Sequence, residues 1–412
     1  MRRLEDAQRD VLDAMSPLPA ERTPLGACRG LVLAADVDAP HDVPPFPNSG
    51  MDGFAVRSVD VSGPDTVLEV VEDVPAGSVP THDVGPGTAI KIMTGAPMPA
   101  GADAVVIVED SETLGDGRVT LRAPAVAGQH VRPAGGDITA GSVVLRAGTR
   151  LGPAHLGLLA SLGVADPLVR RRPTVAVLST GDELMPAETK ELRPGAIRDS
   201  NRPMLVGLLE ELGARVIDLG IVPDDERLLR GVLGEASTAA DAVVSSGGVS
   251  MGEYDLVKQV LSSLGRVDFW RVAMQPAKPF AFGFLGETPL FGLPGNPVSG
   301  AVAFEQFVRP ALLHRMGATA LFRRRSTGVA GEDMATNPDK VVFLRVVVDS
   351  GGPRDRAVLA GGQGSNVLSG LAAADAFAVV PVGVGEVTNG DDVELEWFRA
   401  PETRTIEEAT GG

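Results

Sequence analysis

The sequence predicts a multi-domain protein of α/β and β architecture, built around a central three-layer αβα domain. Three observations predict it. At 412 residues the chain exceeds what one hydrophobic core ordinarily supports, and 44% of it is hydrophobic. From about residue 173 to 318, strand-like and helix-like segments alternate, the signature of βαβ units. On both sides of that region the pattern changes to short apolar runs split by Gly, Pro and Asp, which reads as β-rich structure.

Taken in order, Leu4, Ala7, Val11, Leu12 and Met15 recur at helical spacing until Pro17 and Pro19 stop the pattern. "TVLEVV", "TAIKIM", "AVVIVE" and "RVTLRA" then form a small β unit between about Val56 and Leu121. "RPAGGDITAGSVVLRAGTRL" and the helix-like "PAHLGLLASLGV" lead away from it, so the β unit interrupts a mixed α/β segment. The βαβ series pairs "TVAVLST" with "SNRPMLVGLLEELG", "RVIDLGIV" with "DDERLLRGVLGEA" and "DAVVSS" with "EYDLVKQVLSSLG". In the first of these helices Met204, Leu205, Leu208, Leu209 and Leu212 share a face, Ser200 or Asn201 can cap the start, and Gly213 suits the end. "RVDFWRVAM", "PFAFGFL" and "PLFGLPG" continue what is expected to be a parallel sheet. "NPVSGAVAFEQFVRPALL" closes it, with Asn296 as cap and Pro297 at the first helical position. "LFRRRSTG" reads as a solvated basic linker. From "KVVFLRVVVD" to "DVELEWF" alternation returns, indicating a C-terminal β domain before a polar tail expected to be mobile.

A net charge of −17 argues against nucleic acid or an anionic membrane as the main partner, since both need a basic face. The single cysteine, Cys28, excludes an internal disulfide, fits a reducing compartment, and reads as a small buried residue rather than a nucleophile. No stretch approaches membrane-spanning length, and the expectation is a soluble cytoplasmic protein.

Open parallel sheets bind ligands beyond the carboxyl ends of their strands. Four loops there are loaded with polar groups: "STGDEL" (Ser179, Thr180, Asp182, Glu183), "SSGGVSMGEYD" (Gly247, Gly248, Ser250, Asp255), "QPAKP" (Lys278) and "LPGNPVS" (Pro294, Gly295, Asn296, Ser299). Taken alone, each has an ordinary explanation as a tight turn or a helix cap. Together they supply backbone N–H groups for phosphate, hydroxyls, one cation, and the oxygen ligands Glu183 and Asp255, a set that suits Mg²⁺ beside a phosphorylated substrate. Walker spacing and GxGxxG are absent, so the common nucleotide folds find no support.

"PPFPNSGMDGFAV", "IKIMTGAPMPAGADAVV", "LSTGDEL", "VVSSGGVSMGEYD" and "FGLPGNPVSG" resemble, in order and spacing, the MoeA-type molybdopterin molybdenumtransferases, a family that includes gephyrin and the plant Cnx E domains. The resemblance runs nearly end to end. It implies a homodimer whose subunit joins a MogA/MoaB-like molybdopterin-binding domain (173–318) to three other units. These are an elongated mixed α/β dimerisation domain (1–22, 41–54 and 131–172), a β-rich insertion (23–40 and 55–130) and a C-terminal β-barrel (326–400), with 401–412 as the tail. It also implies the reaction: adenylylated molybdopterin releases AMP as molybdate joins the dithiolene, with Mg²⁺ required and the pathway's adenylyltransferase as a candidate partner.

Carried over by motif, Asp52, Thr94, Asp137, Glu183, Asp225 and Asp255 match acidic or hydroxyl positions of the family's active-site cleft, with Glu183 and Asp255 as metal ligands. Lys278, Ser299, Arg345 and Ser365 match its oxyanion pocket. On residues alone, Asp52 reads as part of an Asp-Gly turn and Asp225 equally as the cap of "ERLLRGVL". The chain departs from the family twice: Gln275 stands where many members have lysine, and Gly136 where many have an acid. Two rival functions are a MogA-like adenylyltransferase and a non-catalytic molybdopterin-binding scaffold. Length and the extra β units favour the molybdenumtransferase.

Overall fold

Leu4, Ala7 and Val11 bury one face of an N-terminal helix, Leu4–Asp13, and pack it into the largest core of the molecule. The structure is a computed structural model that describes residues 1–247 and 256–399. The tail lies outside them. No helix among the described residues is long and apolar enough to cross a membrane.

The central sheet has six strands in the order Arg215–Val222, Thr174–Thr180, Ala242–Ser246, Thr288–Leu293, Pro279–Leu285 and Arg266–Arg271. Its inner strands are buried on both faces, and successive residues serve opposite sides. Val175, Val177 and Val244 join the core against the helix Asn201–Leu212, whereas Ala176, Leu178 and Val243 join a second core with Leu229 and Leu233 of the helix Glu226–Ala239. The expectation of a parallel sheet holds for the first four strands only. Pro279–Leu285 runs antiparallel to both its neighbours, because only Gly286 and Glu287 separate it from Thr288–Leu293 and two residues can close a hairpin but not a crossover.

The β-rich unit is a six-stranded sheet in the order Ala104–Ile107, Gly53–Val56, Thr88–Ile92, Thr66–Val74, Arg118–Leu121 and Ser111–Thr113. The stretch 23–40, expected to belong with this unit, pairs elsewhere: Val32–Leu33 with Leu168–Arg170, and Val37–Asp38 with Val143–Leu145. Its apolar residues decide this, since Cys28, Leu31 and Leu33 share a core with Leu145, Leu151, Leu159 and Val169. Cys28 is fully buried and burial pushes its thiol pKa up, as befits a packing residue.

In the C-terminal region Val341–Asp349, Arg356–Leu359, Arg325–Ala330, Asp392–Trp397 and Ala376–Val380 close into a five-stranded barrel, the first strand pairing with both the second and the last. Met274–Gln275 adds to this barrel alongside Val341–Val342, so the "QPAKP" loop runs between the two domains. "LFRRRSTG" is not a solvated linker. Arg323 grips Glu305 through two 2.9 Å bonds, and Arg325 begins a barrel strand and pairs with Glu394 and Glu396.

Candidate functional site

Three loops leave the parallel strands side by side. Gly247 has φ +89°, and a Cβ there would lie 2.7 Å from the Thr180 carbonyl, so only glycine lets the exit of Ala242–Ser246 pass so close to that of Thr174–Thr180. Gly295 lies on the other side, its own Cβ direction 4.0 Å from the Gly247 Cα. Ser179 donates to Asp199 at 3.1 Å, and Asp199 is held in turn by Arg202 at 3.0 Å. Thr180 is buried with its Oγ1 lacking any hydrogen-bond partner among the described residues. Pro294 is buried, while Gly295 and Asn296 are exposed at the mouth. Asn296 stands at the N-cap of Pro297–Ala303, but its side chain does not cap the helix. It donates instead to Ser365 Oγ of the barrel region at 3.0 Å, and Val298 N donates to the Ser365 carbonyl at 3.1 Å. Ser299 is buried in the first turn of the same helix. Of "SSGGVSMGEYD", Gly248, Ser250 and Asp255 lie outside the described residues, so the expected metal pair Glu183–Asp255 has one described member.

The acidic residues separate into two groups. Asp225 takes its capping role: its Oδ1 accepts from Leu228 N at 2.9 Å, starting the helix Glu226–Ala239. The neighbouring Asp224, which the motif comparison passed over, faces the first loop and donates its N–H to Asp182 Oδ1 at 3.1 Å. Desolvation raises the Asp224 carboxyl pKa, the Asp182 N–H pulls it down, and the charges of Asp182 and Glu183 push it up again. The local signal was present in "PDDE". A cap occupies one aspartate, and the other is left at the end of its strand. Glu183 is exposed with its carboxylate folded over Gly181, where a Cβ would come within 2.5 Å of Oε2. Among the described residues no three His, Cys, Asp or Glu side chains are gathered to hold a metal ion.

A pH-dependent outcome follows for Asp224. A raised carboxyl pKa means the folded protein binds the proton more tightly than the unfolded chain, so stability falls as pH rises through that pKa. Asp224→Asn is therefore expected to raise Tm at neutral pH, with the gain vanishing at acid pH, in parallel thermal melts. A neutral-pH Tm at or below that of the parent would contradict the assignment.

Asp52 and Thr94 come together in the β-rich sheet: Asp52 Oδ1 accepts from Thr94 N and Thr94 Oγ1, both at 2.7 Å. The Thr94 N–H, then its hydroxyl, hold the exposed Asp52 carboxyl below its usual pKa, so it stays ionised. These bonds are local to the sheet, and none reaches the αβα loops. Asp137 is exposed, with its N–H on the Val43 carbonyl at 3.0 Å, and is not bonded to the Asp52–Thr94 pair.

The residues matched to an oxyanion pocket also divide. Lys278 is exposed beside Gln275. Arg345, at 1% exposure, is buried beneath the surface. Its guanidinium donates to the carbonyls of Gly362 and Gly364 at 2.8 and 3.1 Å, and desolvation lowers its pKa. It thus holds the loop that brings Ser365 to Asn296. A separate cavity of about 1160 Å³ between the helix Asn201–Leu212 and the barrel is lined by Leu208, Arg309, Phe322, Arg323 and Trp397 among others; none of the matched site residues lines it.

Three family models tile the chain in order: the MoeA N-terminal region (domains I and II) over residues 2–163, a probable molybdopterin-binding domain over 176–314, and the MoeA C-terminal region (domain IV) over 327–398. The chain belongs to the MoeA family. It is 38% identical to molybdopterin molybdenumtransferase 2 of Mycobacterium tuberculosis, covering 96% of this chain and 99% of that protein. It is 37% identical to the molybdopterin molybdenumtransferase of Haemophilus influenzae, covering 96% and 98%. In structure it is similar to the molybdopterin biosynthesis moeA protein of Pyrococcus horikoshii, with a TM-score of 0.83, 29% identity and coverage of 97% and 100%. Within this MoeA chain, the probable molybdopterin-binding region contains all three clustered loops, and the Asp52–Thr94 pair falls in the N-terminal region.

Proposed function

We propose that this MoeA-family chain is a Mg²⁺-dependent molybdopterin molybdenumtransferase of the cytoplasm, which inserts molybdate into adenylylated molybdopterin and releases AMP. The observation that carries the reading is the end-to-end likeness to relatives bearing that name, across the flanking regions as well as the central domain. A MogA-like adenylyltransferase would need the central domain alone. In this reading Gly247 makes the turn into the phosphate loop and exposed Gly295 faces the substrate phosphates; Gly248 and Ser250, outside the described residues, are proposed as further phosphate contacts, and Ser179 and Thr180 line the floor. Pro294, Asn296, Ser299 and Ser365 shape the mouth, while Lys278 attracts molybdate. Arg345 acts by holding the Ser365 loop.

The exposed oxygens of Glu183 fit Mg²⁺, which keeps several waters and needs only one or two carboxylates, and the charges of Asp182 and Asp224 add to the field there without forming a three-ligand cluster among the described residues. Asp255 would complete the set. Bound there, Mg²⁺ would neutralise pyrophosphate charge. The protein's part is to hold the phosphates against N–H donors and aim the attack at phosphorus, a step catalysed by positioning.

Among the described residues the Asp52–Thr94 pair has no bond to these loops within its own chain, which supports a homodimer whose partner brings the pair, with Asp137, to the cleft. Asp52→Ala is then expected to lower AMP release about 100-fold while Tm falls only slightly and the subunit stays folded, since the carboxylate and its two Thr94 bonds lie at the surface. Mixing Asp52→Ala chains with Asp224→Asn chains should recover part of the rate, because one cleft of the mixed dimer has both residues. Full activity of folded Asp52→Ala protein would remove this pair from the site.

A further inference from the structure

We propose that Asn201 is a positioning residue for the reaction, tying the Ser246–Gly247 exit to the Pro294–Gly295 loop; the kinetic half of the inference rests on the function proposed above. Asn201 is the first residue of the helix Asn201–Leu212 and is 7% exposed, a low value for an asparagine at a helix start. Neither its side chain nor that of Ser200 caps the helix. Asp199 does so, its Oδ1 accepting from Arg202 N at 3.2 Å. The Asn201 carboxamide points inward, and its Nδ2 donates to Ser246 Oγ at 2.7 Å and to the Gly295 carbonyl at 2.7 Å. Both amide hydrogens are thereby used on two different loops.

The neighbouring bonds explain why this matters. Ser246 ends the third parallel strand, and Gly295 follows the fourth. Gly247 N donates to the Leu293 carbonyl at 3.1 Å, so the Asn201 bonds and this one together fix the separation of the two loops at the mouth of the sheet. Asn201 touches no substrate in this account. It sets the spacing of the two loops that shape the mouth, and a buried amide with both hydrogens satisfied is costly to replace.

Asn201→Asp keeps the volume but turns the donor into an acceptor facing the Gly295 carbonyl. Expected results are faster hydrogen exchange in peptides covering 243–247 and 292–297, measured far below Tm, and a rise of about 10-fold in KM for adenylylated molybdopterin with a smaller change in kcat. Ser246→Ala removes one bond and leaves the Gly295 bond, so it remains informative if the aspartate variant folds poorly. It should show a milder form of both changes, and the two substitutions should combine less than additively. Asp241→Asn is the control, because it loosens the Arg171 bridge at the opposite end of the same strand, with bonds of 2.6 and 2.5 Å, and should lower Tm without moving KM. Unchanged exchange in both loops, or a KM shift matched by the control, would overturn the proposal. If the parent enzyme releases no AMP, the proposed function fails, and exchange alone still decides whether Asn201 ties the loops.

Discussion

Gly247→Ala is expected to lower AMP release about 100-fold, the effect of displacing reacting groups by roughly 1 Å. The residue sits at φ +89°, where a side chain costs about 1–2 kcal/mol, and its new methyl would lie 2.7 Å from the Thr180 carbonyl. That oxygen is backbone at the end of a buried strand, so no rotamer change relieves the contact. The exit of Ala242–Ser246 must therefore move away from that of Thr174–Thr180, disturbing the bond from Gly247 N to the Leu293 carbonyl. Gly213→Ala is the matched comparison: Gly213 also has positive φ, at +96°, but terminates the helix Asn201–Leu212 far from the loops. It should lose stability comparably and keep its turnover. Equal activity losses in the two variants would show that the Gly247 effect is only destabilisation.

Gly53→Ala is expected to cost about 3 kcal/mol, at the upper end for overpacking a core. A Cβ on Gly53 would sit 2.0 Å from the Val106 carbonyl oxygen and 2.9 Å from its carbon, across the pairing of Gly53–Val56 with Ala104–Ile107. Strand separation is the only escape, and Asp52 precedes the contact directly, with its carbonyl accepting from Val108 N at 3.0 Å. The substitution should thus spoil the Asp52–Thr94 geometry as well. A Tm unchanged by Gly53→Ala would refute the close approach.

That pair of glycines shows what the sequence made legible and what it did not. "MDG" read as a favoured turn pair, yet Gly53 is required by its neighbour across the sheet, a contact with no local signature. The βαβ alternation was plain because the inner strands are continuous apolar runs buried on both faces and the helices Asn201–Leu212 and Glu226–Ala239 each bury one side. Pro279–Leu285 carried the same apolar pattern and reversed direction only because its connection is two residues long. The bonding of 23–40 to 143–170 was illegible for the same reason: pairing partners far apart in sequence leave no periodicity. At the candidate site "PDDE" leaves Asp225 open as a cleft acid or a helix cap, and the cap bond to Leu228 N, formed only in the folded helix, distinguishes it from Asp224 beside Asp182. Residue type offers Ser200 or Asn201 as the cap of this helix, and the structure instead turns Asn201 inward. Its inward bonds depend on loops about 45 and 94 positions away, at Ser246 and Gly295.

The most direct test is to incubate the purified protein with adenylylated molybdopterin, molybdate and Mg²⁺, and to follow AMP release together with formation of active molybdenum cofactor. The account predicts that both appear, that chelating Mg²⁺ stops them, and that Gly247→Ala slows them. Absence of AMP release, or formation of the adenylylated intermediate from molybdopterin and ATP instead, would contradict it.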